Sequence, residues 1–191
     1  MGTAQTLSRG MSVRESSSEH WDDAEFRAVF VQRYSQIVGI LMRLLGDRSG
    51  AEEIANEVFL RLYRRPGLQI DGNVGGWLYR AATNLGIDAM RRSSRRRKYE
   101  QGSGQTVDEG TQSDPLNDLL RQEKCQSVRV VLALLKSAHA QLLILRASGL
   151  SYRELAETLE VKMSGIGTML NRAEEEFRLR YLELYPMREE L

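Results

Sequence analysis

Residues 73–98 read NVGGWLYRAATNLGIDAMRRSSRRRK and join an apolar helical face to a dense basic block. Asn73 is suited to cap a helix, and apolar side chains then recur at helical spacing at Leu78, Ala82, Leu85 and Ala89. A second stripe, here called the arginine stripe, is polar apart from one tryptophan and comprises Trp77, Arg80, Asn84, Asp88, Arg91 and Arg95. The stretch therefore predicts a helix with one packing side and one charged side.

The residues of the arginine stripe leave two interpretations open. An aromatic ring, an amide and several guanidinium groups suit a surface that stacks bases, bonds base edges and neutralises phosphates. A solvated helix end, with cations favoured near its C-terminus, has the same composition. The rest of the chain has to distinguish a nucleic-acid surface from an ordinary exposed helix.

Charge is segregated along the chain and nearly balanced in total. The 191 residues hold 27 Lys and Arg against 26 Asp and Glu, a net charge of +1, so this is not a globally basic coat for nucleic acid. Six of the eight residues from Arg91 to Lys98 are basic. Local patches would therefore have to carry any binding to nucleic acid.

Cysteine and histidine usage argues against a metal site. The single Cys125 excludes an internal disulfide and fits a reducing cytoplasm. With His20 and His139 it cannot build a structural zinc site of the usual kind. We therefore expect no metal and no cofactor.

The first twenty residues are polar, and apolar runs elsewhere are short. Residues 1–20 are rich in Ser, Thr, Gly, Arg and Glu and lack the apolar segment of a secretory signal, so we expect a disordered tail. No run approaches the length of a membrane span, and a cytoplasmic protein without a membrane partner is expected.

Two helices are predicted before residue 73. Asp22 with Glu25 resembles a capping box that opens the first, and Gly46 stops it. Ser49 with Glu52 repeats the box ahead of a second helix with a strongly apolar inner face. The outer stripe of the second helix sets one leucine among polar groups, which suggests a docking surface; it reads Glu53, Asn56, Glu57, Leu60 and Arg64.

The last third of the chain predicts a helix-turn-helix. Residues 141–148, from Gln141 onward, predict a short apolar helix that Gly149 closes. Ser151 and Glu154 form a third capping box before another short helix, and after a brief turn through residues 160–163, which begins at Glu160, Ser164 can cap a longer helix. The longer helix has an inner face of Ile166, Leu170, Ala173, Phe177 and Tyr181. Two helices joined by a tight turn are typical of this DNA-binding motif.

The predicted fold is all-α. No sustained strand-like alternation occurs, and residues 98–113 are a Gly-, Ser- and acid-rich stretch without apolar periodicity. We expect two small helical domains, 21–97 and 114–187, joined by a flexible linker, 98–113.

Three collinear runs resemble the extracytoplasmic-function group of sigma factors, the two-domain initiation factors of bacterial RNA polymerase. The runs are AEEIANEVFLRLYRR (51–65), GGWLYRAATNLGIDAMRR (75–92) and GLSYRELAETLEVKMSGIGTMLNRAEEEF (149–177). The resemblance implies two helical bundles, called regions 2 and 4, that match the expected division. It also implies three partners: the clamp and flap of the polymerase core, promoter DNA, and an anti-sigma factor.

The resemblance assigns a role to three surfaces. The docking face, which would bind the polymerase clamp, comprises Glu53, Asn56, Glu57, Leu60 and Arg61. The arginine stripe, together with Arg92, would hold the melted strand of the minus-ten element. The recognition face, which would enter the minus-thirty-five major groove, comprises Lys162, Ser164, Gly165, Thr168, Met169 and Arg172.

The recognition face departs from the family pattern. Relatives commonly carry a basic, hydroxyl-rich stretch here, whereas this chain has two glycines, and Glu174 to Glu176 follow in the next turns. Arginine readout of guanine is scarce as a result. We expect weak or shape-based contact, with Thr168 or Met169 touching a thymine methyl and the carboxylates facing away from phosphate.

Two other classes of function compete with a sigma factor. A stand-alone helix-turn-helix regulator explains residues 137–187 but neither the docking face nor the arginine stripe. An enzyme has little support because no nucleophile with a base, no paired carboxylates in an apolar setting and no phosphate-binding Gly loop occur in the sequence. The sequence favours a non-catalytic sigma factor.

Overall fold

The computed structural model describes residues 21–65, 72–99 and 115–186, and all regular structure in these ranges is helical. The helices are α1 (Asp23–Leu45), α2 (Arg48–Tyr63), α3 (Val74–Tyr99), α4 (Pro115–Leu134), α5 (Ser137–Ala147), α6 (Tyr152–Leu159) and α7 (Met163–Leu184). The predicted all-α class is confirmed. The predicted tail and nearly all of the predicted linker lie outside the described residues, although α3 continues two residues into the linker range.

Helices α1 and α2 are delimited by side-chain caps and one glycine. The Asp22 carboxylate accepts from the Glu25 amide at 3.4 Å, and Gly46 ends α1 with a φ of 71°, as predicted. The predicted cap of α2 at Ser49 is wrong. Asp47 caps this helix because its two carboxylate oxygens accept from the amides of Ser49 and Gly50, at 3.2 and 2.8 Å.

Helix α3 begins as predicted and packs closely on α1. The side-chain oxygen of Asn73 accepts from the Gly76 amide at 2.8 Å. Leu78 and Ala82 are buried, but Leu85 and Ala89 are only partly so, because the inner face turns toward Gly86, Ile87 and Met90. A Cβ at Gly86 would lie 2.6 Å from Leu44 Cδ1 and 2.9 Å from Leu41 Cδ2. The glycine therefore permits the close approach of α1 and α3.

The glycines at 86 and 165 give opposite stability predictions. Both lie within helices, where alanine is favoured over glycine by about 0.5–1 kcal/mol. A Cβ at Gly165 meets open space, so Gly165→Ala should raise the free energy of unfolding by about that amount. Gly86→Ala should lower it by about 1 kcal/mol, because Leu41 and Leu44 are fully buried and have little room to move. Urea denaturation followed by circular dichroism measures both; equal effects would contradict the packing of α3 on α1.

Helices α6 and α7 form the predicted helix-turn-helix. Ser151 and Glu154 make a reciprocal capping box, in which the Glu154 carboxylate accepts from the Ser151 amide at 2.7 Å. The hydrogen bonds from Ser151 lower the pKa of Glu154. The turn contains Glu160 in the left-handed conformation, with a φ of 57°. The predicted cap at Ser164 is wrong: α7 begins at Met163, and its N-cap Lys162 makes no side-chain cap bond.

The first unit, α1 to α3, and the second unit, α4 to α7, share one hydrophobic core. Helix α3 packs against α4, α5 and α6 as well as against α1 and α2. Leu78 and Ala82 of α3 belong to the same buried cluster as Ala140 and Leu145 of α5. In this structure the second unit therefore lies directly on the helix that carries the arginine stripe. Within the described ranges, no helix combines the length and apolar character needed to cross a membrane.

Candidate nucleic-acid interface

The docking face is an exposed side of α2. Its five residues are all exposed, and Leu60 has 41% of its surface accessible. Val58, Phe59 and Leu62 point into the core from the other side of the helix. Around Leu60, Arg61 pairs with Glu57 at 2.6 Å, and Asn56 accepts from the Tyr34 hydroxyl at 3.2 Å. An apolar side chain inside a polar rim is the composition of a protein contact surface.

One part of the arginine stripe is open to solvent. Asp88 and Arg95 of the stripe are exposed on α3, and so is the neighbouring Arg92. Trp77 is half-buried, and the Arg65 guanidinium carbon lies 5.9 Å from the centroid of its ring. The two exposed arginines are available for phosphate, while Trp77 has a cation beside its ring.

Arg91 instead bonds to the second unit. Its guanidinium donates to the carbonyls of Ala133 and Leu135, at 3.1 and 2.7 Å, and to the Ser137 hydroxyl at 2.8 Å. These acceptors lie where α4 ends and α5 begins, and the last carbonyls of a helix need partners from outside it. Arg91 thus caps the C-terminal end of α4.

Arg80 and Asn84 also face the second unit. Arg80 makes an ion pair with Glu160 in the turn of the helix-turn-helix. The buried amide of Gln141 donates to Thr83 Oγ1 at 2.6 Å and lies 3.4 Å from Asn84 Oδ1. Three residues of the stripe, Arg80, Asn84 and Arg91, are therefore engaged within the chain.

The sequence interpretation missed the partners that engage the stripe. Gln141 was placed at a helix start and Glu160 in a turn, and Thr83 lay between the two predicted faces of α3. Of these three residues, only Gln141 could have been recognised from the sequence, because a polar residue at the front of an apolar helix needs a buried partner. The partner itself depends on how the units pack, and local spacing does not encode that.

Two further cations, missed by the sequence interpretation, flank the open part of the stripe. Arg96 of α3 and Arg129 of α4 line one groove of about 640 Å³ together with the predicted Arg92 and with Asp47 and Glu53. The Arg129 side chain also donates to the Arg43 carbonyl at 3.2 Å, which ties α4 to α1. Arg96 could have been recognised because it stands within the basic run 91–98. No pattern in the sequence around Arg129 indicates that it joins this groove.

The recognition face lies on the first turns of α7. Lys162, Ser164, Thr168 and Arg172 are exposed, and Gly165 is half-buried. Met169 packs partly against the core, which leaves Thr168 as the more accessible of the two residues predicted to meet a thymine methyl. Tyr152 extends this surface: it is 43% exposed and its ring lies 3.9 Å from where a Cβ on Gly167 would stand.

Two of the three acidic residues after the recognition face have partners within the chain. Glu175 makes a two-pronged ion pair with Arg178, at 2.9 and 2.7 Å, which lowers the pKa of the carboxyl. Glu176 contacts His139 of α5. Burial alone would raise the pKa of Glu176, but hydrogen bonds and charge from His139 and Lys136 outweigh burial and lower it. The carboxylate of Glu176 thus helps to hold α7 against α5.

Part of the chain matches a known family, and most of it is similar to named sigma factors. The sigma-70 region 2 family matches residues 30–96, a range that includes the docking face and the whole arginine stripe. The sigma factor SigE of Mycolicibacterium smegmatis, of the extracytoplasmic-function (ECF) group, is 25% identical over 167 residues; the match covers 86% of this chain and 62% of SigE. The RNA polymerase sigma factor YlaC of Bacillus subtilis is 29% identical over 162 residues, covering 84% of this chain and 92% of YlaC.

One solved structure aligns with most of the chain. The sigma factor RpoE in complex with the anti-sigma factor NepR, from Bartonella quintana, aligns with a TM-score of 0.49 at 20% identity, over 85% of this chain and 98% of that chain. Residues 30–96 of this chain thus match sigma-70 region 2, and most of the chain is similar to sigma factors of bacterial RNA polymerase, among them one of the extracytoplasmic-function group.

Proposed function

We propose that the chain binds the core of bacterial RNA polymerase and directs promoter recognition, promoter melting and transcription initiation. The observation that carries the proposal is the region 2 match over residues 30–96, which places an exposed Leu60 and an arginine-rich helix in one matched segment. The polymerase supplies the chemistry, and this chain supplies recognition in the cytoplasm. An anti-sigma partner is part of the proposal because the family implies one.

The docking face would bind the polymerase clamp. Its centre is Leu60, which can be desolvated at low cost, while the Glu57–Arg61 pair and Glu53 form a polar rim. Because this face lies opposite the buried side of α2, a partner can cover it without disturbing the core.

The arginine stripe would hold the melted strand of the minus-ten element. A single strand exposes base faces and phosphates together, and Trp77 with the arginines of α3 offers a ring and cations on one helix. Asn84 and Asp88 would contact base edges or the backbone, and Arg80, Arg91, Arg92 and Arg95 the phosphates. Unstacking a base costs a few kcal/mol, which such contacts can offset.

The recognition face would contact the minus-thirty-five element through Thr168 and the exposed cations Lys162 and Arg172. With no arginine in its first turn, α7 lacks the two-pronged readout of guanine that gives strong base discrimination. Discrimination at this element is therefore expected to be weak, and the minus-ten contacts to dominate.

Reconstitution with bacterial core polymerase and a promoter library tests the proposal. The purified chain should bind core tightly and duplex DNA poorly, and it should direct initiation from a defined set of promoters. A stand-alone regulator would instead protect duplex DNA from cleavage without core. That result, together with no binding to core, would overturn the proposed function.

Arg92→Ala should weaken promoter opening and reduce its dependence on salt. Each phosphate contact that is lost lowers the slope of log affinity against log salt by about one unit. Arg48→Ala is the matched control, because Arg48 is an exposed arginine of α2 that pairs with Glu52 and lies outside the stripe. Open-complex formation is measured between about 50 and 200 mM salt. An unchanged slope for Arg92→Ala would mean that Arg92 is an ordinary solvated residue and makes no phosphate contact.

A further inference from the structure

The groove lined by Arg92, Arg96 and Arg129 lies between α3 and α4, beside the junction of α1 and α2. Its volume of about 640 Å³ falls within the range of about 300–1,000 Å³ that small-molecule sites occupy. The proposed function uses Arg92 as a contact for the promoter strand, but it gives no role to the other two cations or to the rest of the groove. The groove is therefore a candidate site for a second ligand.

Arg129 is held in a fixed place at this groove. Its Nε donates to the carbonyl of Arg43, in the last turn of α1, at 3.2 Å. Gly46 ends α1 with a φ of 71°, and a Cβ at this glycine would lie 2.4 Å from the Arg129 guanidinium carbon. The absence of a side chain at Gly46 thus makes room for the guanidinium. A cation that is already positioned loses little conformational freedom when an anion binds it.

The polar lining of the groove combines two kinds of hydrogen-bonding partner. The three arginines offer planar, charged donors that suit the oxygens of a phosphate. Ser93, Ser94 and Gln126 add neutral polar groups, whereas the carboxylates of Asp47 and Glu53 can only accept hydrogen bonds. A simple anion would be repelled by the two carboxylates. A ligand that suits the whole lining carries phosphate oxygens and also hydroxyl or amino donors.

The groove also has an apolar wall, formed by Ile54 of α2, Ala89 of α3 and Val130 of α4. All three side chains are half-buried, so each keeps part of its surface accessible. Inorganic phosphate would leave this wall in water. A flat, weakly polar ring would cover it and gain from the burial of apolar surface.

We propose that this groove binds a nucleoside polyphosphate. Its phosphates contact Arg92, Arg96 and Arg129, and its base packs on the apolar wall. Its ribose hydroxyl groups or the amino group of its base donate to the carboxylates of the lining. Phosphates, a ring and hydrogen-bond donors occur together in this class of molecule, and the groove holds a complementary group for each of them.

Two pairs of variants test the phosphate contacts and the apolar wall separately. Arg96→Ala and Arg129→Ala each remove one cation from the groove, and Arg180→Ala is their control because Arg180 is an exposed arginine of α7 that pairs with Glu183. Ala89→Met fills the space beside the wall without changing the charge. Its control is Ala28→Met, at an exposed position of α1 outside the groove.

Isothermal titration calorimetry on the full chain, without polymerase, DNA or divalent cations, measures binding. The probes are the four ribonucleoside triphosphates, the four nucleosides and inorganic triphosphate. At least one nucleotide should bind with a Kd below about 1 mM. Its nucleoside and inorganic triphosphate should each bind at least about tenfold more weakly, because each half of the molecule makes only part of the contacts.

The variants should weaken nucleotide binding in two distinct ways. Arg96→Ala and Arg129→Ala should each raise the Kd of the nucleotide by about tenfold, the loss expected for a charge-assisted hydrogen bond, and Arg180→Ala should leave it unchanged. Ala89→Met should bring the Kd of the nucleotide close to that of inorganic triphosphate and leave the latter unchanged. Ala28→Met should match the wild type. Thermal unfolding checks each fold, and Arg96→Ala tests the phosphate contacts by itself if Arg129→Ala unfolds.

Three results would overturn the nucleotide site. The first is that none of the four triphosphates binds with a Kd below about 1 mM. The second is that inorganic triphosphate binds as tightly as the best nucleotide, since the arginines would then attract any polyanion. The third is an equal loss of affinity in Arg180→Ala and Arg96→Ala, which would place binding outside the groove. The titrations contain neither polymerase nor DNA, so failure here is distinct from a failure of the reconstitution that tests the proposed function.

Discussion

Leu60→Arg is expected to abolish tight binding to core polymerase while leaving the fold intact. Leu60 is 41% exposed and stands in the middle of the docking face, so an arginine there needs no space in the core. Central apolar anchors of protein interfaces commonly contribute at least about 2 kcal/mol, or roughly thirtyfold in affinity. A buried, unpaired guanidinium adds a further desolvation cost. The affinity is measured by titrating labelled chain with core, and the fold by thermal unfolding.

Val31→Arg is the matched control for the loss of core binding. Val31 lies on α1, is 74% exposed and would undergo the same change from apolar to cationic. It should keep wild-type affinity for core because it lies outside the docking face. If both variants bound core as the wild type does, Leu60 would be an ordinary exposed leucine and the docking face would be assigned to the wrong side of the chain.

Phe59→Ala is expected to lower the free energy of unfolding by about 3–5 kcal/mol, the range for a phenylalanine removed from a packed core. Phe59 is 2% exposed, and its ring lies edge-on to Phe30 at a centroid distance of 4.8 Å. Phe26 and Tyr34 also contact this ring, at 6.4 and 5.8 Å between centroids. Truncation would remove a member shared by all three pairs and leave a cavity between α1 and α2.

Leu60→Ala serves as the control for Phe59→Ala, because it is the next residue and faces solvent. It should change the free energy of unfolding by less than about 0.5 kcal/mol. Urea unfolding followed by circular dichroism measures both variants. A loss below about 1 kcal/mol for Phe59→Ala would mean that the site collapses around the smaller side chain, contrary to its burial. Phe59 and Leu60 are adjacent on α2 and are expected to have different roles: Phe59 stabilises the fold, and Leu60 binds the partner.

Helix ends were predictable where a cap and its acceptor are close in the sequence. Asp22, Asn73 and the Ser151–Glu154 box are confirmed because each bond spans three residues. The predicted caps at Ser49 and Ser164 were wrong for different reasons. Two candidates compete at the start of α2, and Asp47 displaces Ser49 because a carboxylate can accept from two amides at once. At α7 the chain uses no side-chain cap at all.

The start of α5 shows a second limit of sequence patterns. The predicted helix began at Gln141, whereas α5 begins at Ser137. Its extra turn holds His139, which contacts Glu176 of α7. This first turn lacks the apolar periodicity from which the helix was predicted. A polar contact to a neighbouring helix stabilises the turn instead.

The packing of the second unit on α3 was not predictable from spacing at all. Arg80, Asn84 and Arg91 have the polarity of a solvated or ligand-binding stripe, and that polarity is compatible with either kind of partner. The partners are separated from them by more than forty residues in the chain, such as Ser137 from Arg91. The composition of the stripe could therefore predict its chemistry but not what occupies it in this structure. The assignments of the docking and recognition faces to polymerase and DNA stay predictions.

The triple contact of Arg91 has a consequence for how mutations at this position are scored. If the side chain both grips the strand and caps α4, losing it removes a contact with the promoter and also a contact that packs the second unit on α3. Promoter output measures the two losses together, whereas thermal unfolding of the free chain measures only the loss of packing. A screen of promoter output alone would therefore assign both losses at position 91 to DNA binding.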